Sequence, residues 1–297
     1  MSRCYLNEKI ITAKKIRSGS DSGLMGKSHA TSAVSVFLTV IVFSPAIAHK
    51  LLGTTDIWTI VLAAIATAGA SLLSDLDNTS SSARNSLGPV GHILSELIRM
   101  LSTAVQTMIR TGRDNPEPNP HRGFFHTIPA AALLSFGIYF LTQINGTVNL
   151  PVVGKMVWGD VAGLVIMMCL LHLALSGLAK ASLNKFARQN PLGEVGVFAV
   201  SFFTIILIFS QTPQNAHYEW LAVSVFVGFI IHILGDCLTT AGAPLLFPLP
   251  WKGKLWYNFR FAGSLIKAGS AIENYIIFPF FLLMIFISIG AVLMRFM

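Results

Sequence analysis

Seven runs of roughly twenty residues carry almost no charge, and each, coiled as a helix, is long enough to cross a ~30 Å hydrocarbon layer. In lipid every backbone N–H and C=O must be satisfied within the protein, so uninterrupted runs of this length are read as helices. They fall at 31–49, 57–74, 126–144, 160–179, 195–211, 218–235 and 274–294. The expected fold is therefore all-α, a polytopic transmembrane helical bundle of about seven spans. Charged residues make up 11% of the chain against ~25% in soluble proteins, which excludes a water-soluble enzyme, a secreted disulfide scaffold and a disordered tail. Cys4, Cys169 and Cys237 are isolated and lack the paired spacing of a zinc ribbon or disulfide framework, so free thiols are expected.

The net charge of +8 invites a nucleic-acid reading, but its placement argues for topology instead. With the N-terminus cytoplasmic, all Lys and Arg except Lys50, Lys155 and Arg295 fall on the inner side of the bundle. No nucleic acid is needed to explain that split, and the bilayer itself is the expected partner. Residues 1–28 read as a basic cytoplasmic tail and 29–297 as a single transmembrane domain. The run from Thr31 lacks a small-residue cleavage site after a short apolar core, so it is an anchor and not a removed signal. Between the second and third spans, Ile93, Leu94, Leu97, Ile98, Leu101, Val105 and Met108 recur at helical spacing. That pattern fits an interfacial amphipathic helix on the inner membrane surface or a core helix packed beneath the bundle. Residues 236–273, with Trp251, Trp256 and Tyr257 beside Lys252 and Lys254, read as a segment along the headgroups.

Ionisable residues at the ends of these spans carry the functional signal, because carboxylates and imidazoles at membrane depth are costly and usually mark a function. His29 stands just before the first span, Asp75 and Asp77 end the second, His121, Arg122 and His126 open the third, and His232 and Asp236 end the sixth. Odd spans begin and even spans finish on the cytoplasmic side, so all eight residues fall in one layer. His232 and Asp236 lie within about 40° on one helix face and can bind one ion. Arg122 and His126 share that spacing, and Asn119-Pro120 reads as an N-cap that would aim them together. Asp75 and Asp77 stand about 200° apart on a regular helix and converge only if the helix ends there.

Mixed imidazole and carboxylate ligands suit zinc or manganese better than the all-oxygen preference of calcium or magnesium. A divalent metal ion is the expected cofactor, and Arg122 suits an anionic oxygen because its planar fork donates two hydrogen bonds. Against this, Asp, His and Arg at helix ends also cap helices or snorkel to headgroups. His172, His49, His217 and His92 are read as packing or interfacial residues.

These motifs resemble those of bacterial inner-membrane proteins described as membrane-bound, metal-dependent hydrolases, including the SOS-regulated YdjM-like members. The similarity runs through His29; Asp75 and Asp77; His121, Arg122, Gly123 and His126; and His232, Asp236, Thr239, Gly242, Leu246 and Pro248. Ser74, Asn78, Phe125 and Thr127 depart from the family pattern, and Asn78 replaces an imidazole. The motifs touch 29–128 and 228–250, leaving 145–227 without a motif.

The resemblance implies a metal-dependent hydrolase of the bacterial inner membrane, with His29, Asp75, His126, His232 and Asp236 as ligands. Asp77 and His121 would serve as general base or as orienting groups, and Arg122 would hold an anionic oxygen. A site at headgroup level makes a lipid-borne or phosphoester substrate the expected one. The alternatives are an ion or small-molecule transporter using the same cluster, or a non-catalytic structural membrane protein.

Overall fold

The computed structural model describes residues 22–52, 57–79, 81–150, 154–182, 195–196, 199–204, 207, 218–261, 266–267 and 269–296. Helix α1 spans Ser22–Phe43, so His29 lies within it and not ahead of it. The expected first span, 31–49, is cut because Pro45 cannot continue the hydrogen-bond ladder of α1; it starts a separate helix, α2, at Pro45–Leu52. Helix α3 spans Ile57–Leu73, α4 is the short Ser82–Ser86, and α5 covers Gly88–Met108. Helix α6 spans Ile128–Thr142, α7 Trp158–Ser182, α8 Trp220–Cys237 and α9 Phe278–Phe296, the last entered through a π-helical turn at Glu273–Ile277.

Among the described residues five helices are long and apolar enough to cross a membrane: Gly26–Phe43, Ile57–Asp77, Trp158–Gly177, Trp220–Cys237 and Glu273–Met294. The expected span at 126–144 contracts to the 15 residues of α6, whose start is set by the Thr127 cap and Pro129. At 1.5 Å per residue it reaches roughly 22 Å, short of a full hydrocarbon crossing. Of the run at 195–211, only 195–196, 199–204 and 207 are described, all of them helical, and residues 1–21 of the expected tail lie outside the described set. The all-α expectation is also corrected by one antiparallel hairpin, β1 at Thr147–Leu150 and β2 at Gly154–Val157, paired from Thr147↔Val157 to Leu150↔Gly154. Its Thr147 and Val148 favour extended backbone, and Gly154 takes a positive φ of 85° at its turn end.

Helix α8 packs against α3, α6 and α1, while α3 also packs against α7 and α9 lies along α1. The core they share includes Phe37, Ile41, Ala66, Leu171, Val225 and Phe229. Small residues bring the backbones together: a Cβ on Gly69 of α3 would stand 2.0 Å from the Leu170 carbonyl oxygen of α7. Helix α5 turns its small and polar residues inward, with Gly91, Ser95, Ser102 and Gln106 buried. Most of its apolar stripe faces out, with Ile93, Leu97 and Met108 exposed, while Ile98 packs against the cluster of Leu76, Ala83 and Leu173.

Candidate metal centre

The end of α3 determines where its two aspartates point. Thr67, Ser71 and Ser74 donate their hydroxyls back to the carbonyls of Ala63, Ala68 and Ser71, and the helix tightens into a 3-10 turn at Ser74–Asp77. At three residues per turn, Asp75 and Asp77 stand about 240° apart, enough to reach opposite sides of one imidazole. That imidazole is His126. Asp77 Oδ2 lies 3.3 Å from its Nδ1, off the line of a hydrogen bond, and Asp75 Oδ1 lies 3.9 Å from its Nε2.

His126 reaches this place from a single 3-10 turn, Phe124–His126, ahead of the α-helix, so the expected helix start at Asn119-Pro120 is corrected. The helix begins at Ile128, where Thr127 Oγ1 accepts from the Ala130 N–H. The loop ahead of it is held by the polar face of α5. Gln106 bonds both backbone groups of Asn119, at 2.7 and 3.2 Å, and Ser102 Oγ accepts from the Phe124 N–H. Gly123 fits between them because a Cβ there would stand 2.0 Å from Gln106 Nε2 and 2.2 Å from Ser102 Oγ. Arg122 takes the left-handed conformation at φ 60°, a strained setting for a side chain that positions its guanidinium.

His232 and Asp236 share one face of α8 as their spacing requires, with both side chains buried and His232 Nε2 3.6 Å from Asp236 Oδ2. His29 stacks on His232 with ring centroids 4.0 Å apart and places Nε2 3.5 Å from Asp236 Oδ1. That approach depends on Gly235, whose Cβ would come within 2.8 Å of the His29 ring. Arg122 Nη2 donates to Asp236 Oδ1 at 2.9 Å, and Nη1 donates to the Gly242 carbonyl and Thr239 Oγ1. His121 is the most accessible imidazole of the group and meets Asp77 Oδ1 through Nδ1 at 2.9 Å.

All eight expected residues thus converge, from four separate stretches of sequence. At the centre, His126 Nε2, His232 Nε2 and Asp236 Oδ2 lie 3.3, 3.5 and 3.6 Å from one another, with Asp75 Oδ1 3.7 and 3.9 Å from the two imidazoles. Ligands bonded at 2.0–2.2 Å around a tetrahedral ion are spaced by roughly 3.3–3.6 Å, a spacing that His126, His232 and Asp236 meet and that Asp75 exceeds by 0.1–0.3 Å. Asp236 Oδ2 is buried without a hydrogen-bond partner, which a cation between it and the imidazoles would satisfy. Two trios, His29 with His232 and Asp236, and Asp75 with His121 and His126, each gather donors within 4.8 Å. These buried His and Asp groups could hold a metal ion.

The remaining polar residues stay outside the cluster. His172 meets the Ser86 carbonyl oxygen at 3.0 Å, and His49 and His92 are exposed. Cys237 is buried with Sγ directed at the Ala243 oxygen, Cys169 is exposed, and His217 and Cys4 lie outside the described residues. One organiser had no sequence signal: Asp114 accepts hydrogen bonds from the backbone of Thr111, Leu255 and Trp256, clamping the 236–273 segment to the loop after α5. Trp256 is held there too, donating Nε1–H to the Ile109 oxygen and stacking on Phe247 at 4.3 Å.

The family model described as YdjM inner membrane protein matches residues 24–185 and 195–297. The chain belongs to this family. The match takes in most of the 145–227 region, where no motif was visible, and both stretches that build the cluster. No curated protein and no solved structure matches the chain. A YdjM-family inner membrane protein with several apolar helices is a membrane protein, and two adjoining His and Asp groups in it could hold a metal ion.

Proposed function

We propose that this YdjM-family protein is a metal-dependent hydrolase whose site opens at the cytoplasmic face of the inner membrane and acts on a phosphoester, most naturally one borne by a lipid. The observation that carries the reading is the spacing of His126, His232, Asp236 and Asp75 around one orphaned carboxylate oxygen. Those four would hold a zinc or manganese ion, with His29 beside them as a further donor. The chemistry such an ion supplies when bound is Lewis acidity toward a phosphoryl oxygen and a lowered pKa for the attacking water.

The chain's own residues divide the remaining work. Asp77 faces the far nitrogen of His126, so it fixes which ring nitrogen turns to the centre. His121, held by the other oxygen of Asp77 yet reachable by water, is placed to take and return a proton. Arg122 spends three N–H donors on Asp236, Thr239 and Gly242, leaving two for an anionic oxygen. It borders a cavity of about 170 Å³ lined also by Arg110, Asn119 and Asn258, with Asp114 and Glu117 on the same wall, so the surround is rich in hydrogen-bonding groups and mixed in charge, and the two arginines are its anion-binding part.

The test is elemental analysis of the purified full chain joined to a phosphoester screen. The wild type is expected to carry about one zinc or manganese per chain, and Asp236→Ala to lose ion and hydrolysis together. Retention of both would overturn the reading. A wild type that binds no divalent metal would leave the cluster as a helix lock.

A further inference from the structure

A second cavity lies beside the cluster, lined by His29 and by Thr239, the hydroxyl partner of Arg122, and it is mostly apolar. It measures about 200 Å³, larger than the ~150 Å³ apolar cavity that can take up a benzene. Its walls are single faces of three membrane-length helices: Ser32 and Val36 from α1, Ile231 and Leu234 from α8, and Ile277 and Phe281 from the last helix. Each pair follows helical spacing.

The groove's direction follows from the packing. Helix α9 runs parallel to α1, since Lys27 sits over the Phe278 ring and Thr39 meets Ser288 in the same order. From His29 to Val36 the groove wall climbs about 10 Å along α1, away from the cluster and into the apolar part of the bundle. At its lower end stand His29 and Gly235, next to Asp236. Helix α9 on its outer side is largely exposed and apolar, with Phe280, Leu283 and Phe286 uncovered, so this flank of the groove faces lipid.

Two polar atoms bordering this apolar space are buried without partners, Ser28 Oγ and Glu273 Oε1. Glu273 is 1% exposed, and its other carboxylate oxygen accepts from the Gly269 N–H at 2.7 Å. An unpartnered carboxylate oxygen at the rim of a hydrocarbon-like groove is costly unless a donor arrives from a ligand.

We propose that this groove holds the hydrocarbon chain of an amphiphilic substrate, with its polar linkage at His29 and Asp236 and with Glu273 accepting a hydrogen bond from a hydroxyl or amide beside that linkage. This rests on the hydrolase reading above and adds the substrate class: one molecule whose anionic head is met from the Arg122 side and whose tail leaves along α1 and the last helix. Asp236 joins the two parts of that arrangement, since its Oδ1 meets both Arg122 and His29.

Photolabelling of the purified full chain in detergent tests it, using dodecyl phosphate with a diazirine at the chain end. Label is expected on Ser32, Val36 or Phe281, competed by unlabelled dodecyl phosphate and not by inorganic phosphate. Val36→Trp, and independently Ile231→Trp from the facing helix, should each lower it at least fivefold. Label spread over the outer faces of α6 and α9, unchanged by either tryptophan, would overturn the proposal by showing only general detergent-layer contact. Glu273→Gln should weaken a hydroxyl-bearing lysophosphatidic acid probe at least threefold relative to dodecyl phosphate; equal effects on both would remove Glu273 from the assignment. Labelling needs neither metal nor turnover. A labelled groove without hydrolysis would therefore sink the hydrolase reading and retain a lipid site, whereas hydrolysis of a soluble phosphoester with an unlabelled groove would sink the groove alone.

Discussion

Asp77→Asn separates a residue that orients a ligand from one that is a ligand. Asp77 is fully buried and splits its carboxylate between His121 Nδ1 at 2.9 Å and His126 Nδ1 at 3.3 Å. Both contacts are to Nδ1, whereas the donors that converge at the centre are Nε2 atoms of His126 and His232. The amide keeps the volume, so the packing around Leu76 and α4 is expected to survive, but it removes the negative charge that favours one tautomer of His126 and strengthens its basicity. Losing such an outer partner typically lowers metal affinity 10–100-fold, or about 1.4–2.8 kcal/mol at 1.4 kcal/mol per tenfold. Competition against a chromophoric chelator, with the full chain in detergent near neutral pH, measures it directly. Asp236→Asn in the same assay should lose far more, because Oδ2 of Asp236 is itself one of the central donors. Unchanged affinity in Asp77→Asn would refute the orienting role, and a loss equal to that of Asp236→Asn would make Asp77 a ligand.

Gly123→Ala places a Cβ within 2.2 Å of both Gln106 Nε2 and Ser102 Oγ, so the hydrogen bonds tying the His126 loop to α5 must give way. A loss of about 1–3 kcal/mol is expected, read as a lowered thermal midpoint in detergent; an unchanged midpoint would show that the loop is not held by α5. Burial alone would raise the Asp114 carboxyl, but the backbone N–H groups of Thr111, Trp256 and Leu255 outweigh it and hold it below the usual carboxylate value. A depressed folded value means this clamp contributes stability above roughly pH 4 and loses it as pH falls through the folded value, so Trp256 fluorescence should change there in the wild type and already differ at neutral pH in Asp114→Asn. A spin label at Leu97, on the exposed apolar stripe of α5, should be more accessible to oxygen than to a water-soluble nickel relaxant; the opposite order would remove this helix from the membrane surface.

Hydropathy recorded where the chain is apolar, and so the membrane helices and the common level of the eight polar residues were legible before any coordinates. Helix ends were not, because termination depends on single residues that hydropathy averages away. Pro45 divides the first expected span, and Thr127 with Pro129 delays α6 until Ile128, which moves His126 from a helix into a turn. The cluster survives both errors because its geometry is fixed by side-chain contacts between elements. The clamp at Asp114 was illegible for a related reason: its partners Leu255 and Trp256 lie more than a hundred positions away and are reached through backbone N–H groups, which leave no mark in residue type. Glu273 sat in plain view at the start of an apolar run, where an acid reads as a boundary. Its burial became visible only once α1 was packed against the last helix.

A site that must admit water and lipid to the same atoms faces opposed demands on its walls, since a polar opening lets water displace a hydrocarbon chain and an apolar one excludes the anionic head. The two cavities answer this by lining adjoining spaces differently, with Arg122 bordering one and its partner Thr239 the other. Arg122 and the α5 loop make the wall toward Asp236 Oδ1 polar, while Gly235 lets His29 close the apolar side without a side chain of its own in the way. The two oxygens of Asp236 are not equivalent: Oδ1 is tied to Arg122 and faces His29, and Oδ2 is left to the imidazoles of His126 and His232. The ion pair with Arg122 therefore does more than neutralise a buried charge. It fixes the rotation of the carboxylate, and with it which oxygen faces the centre.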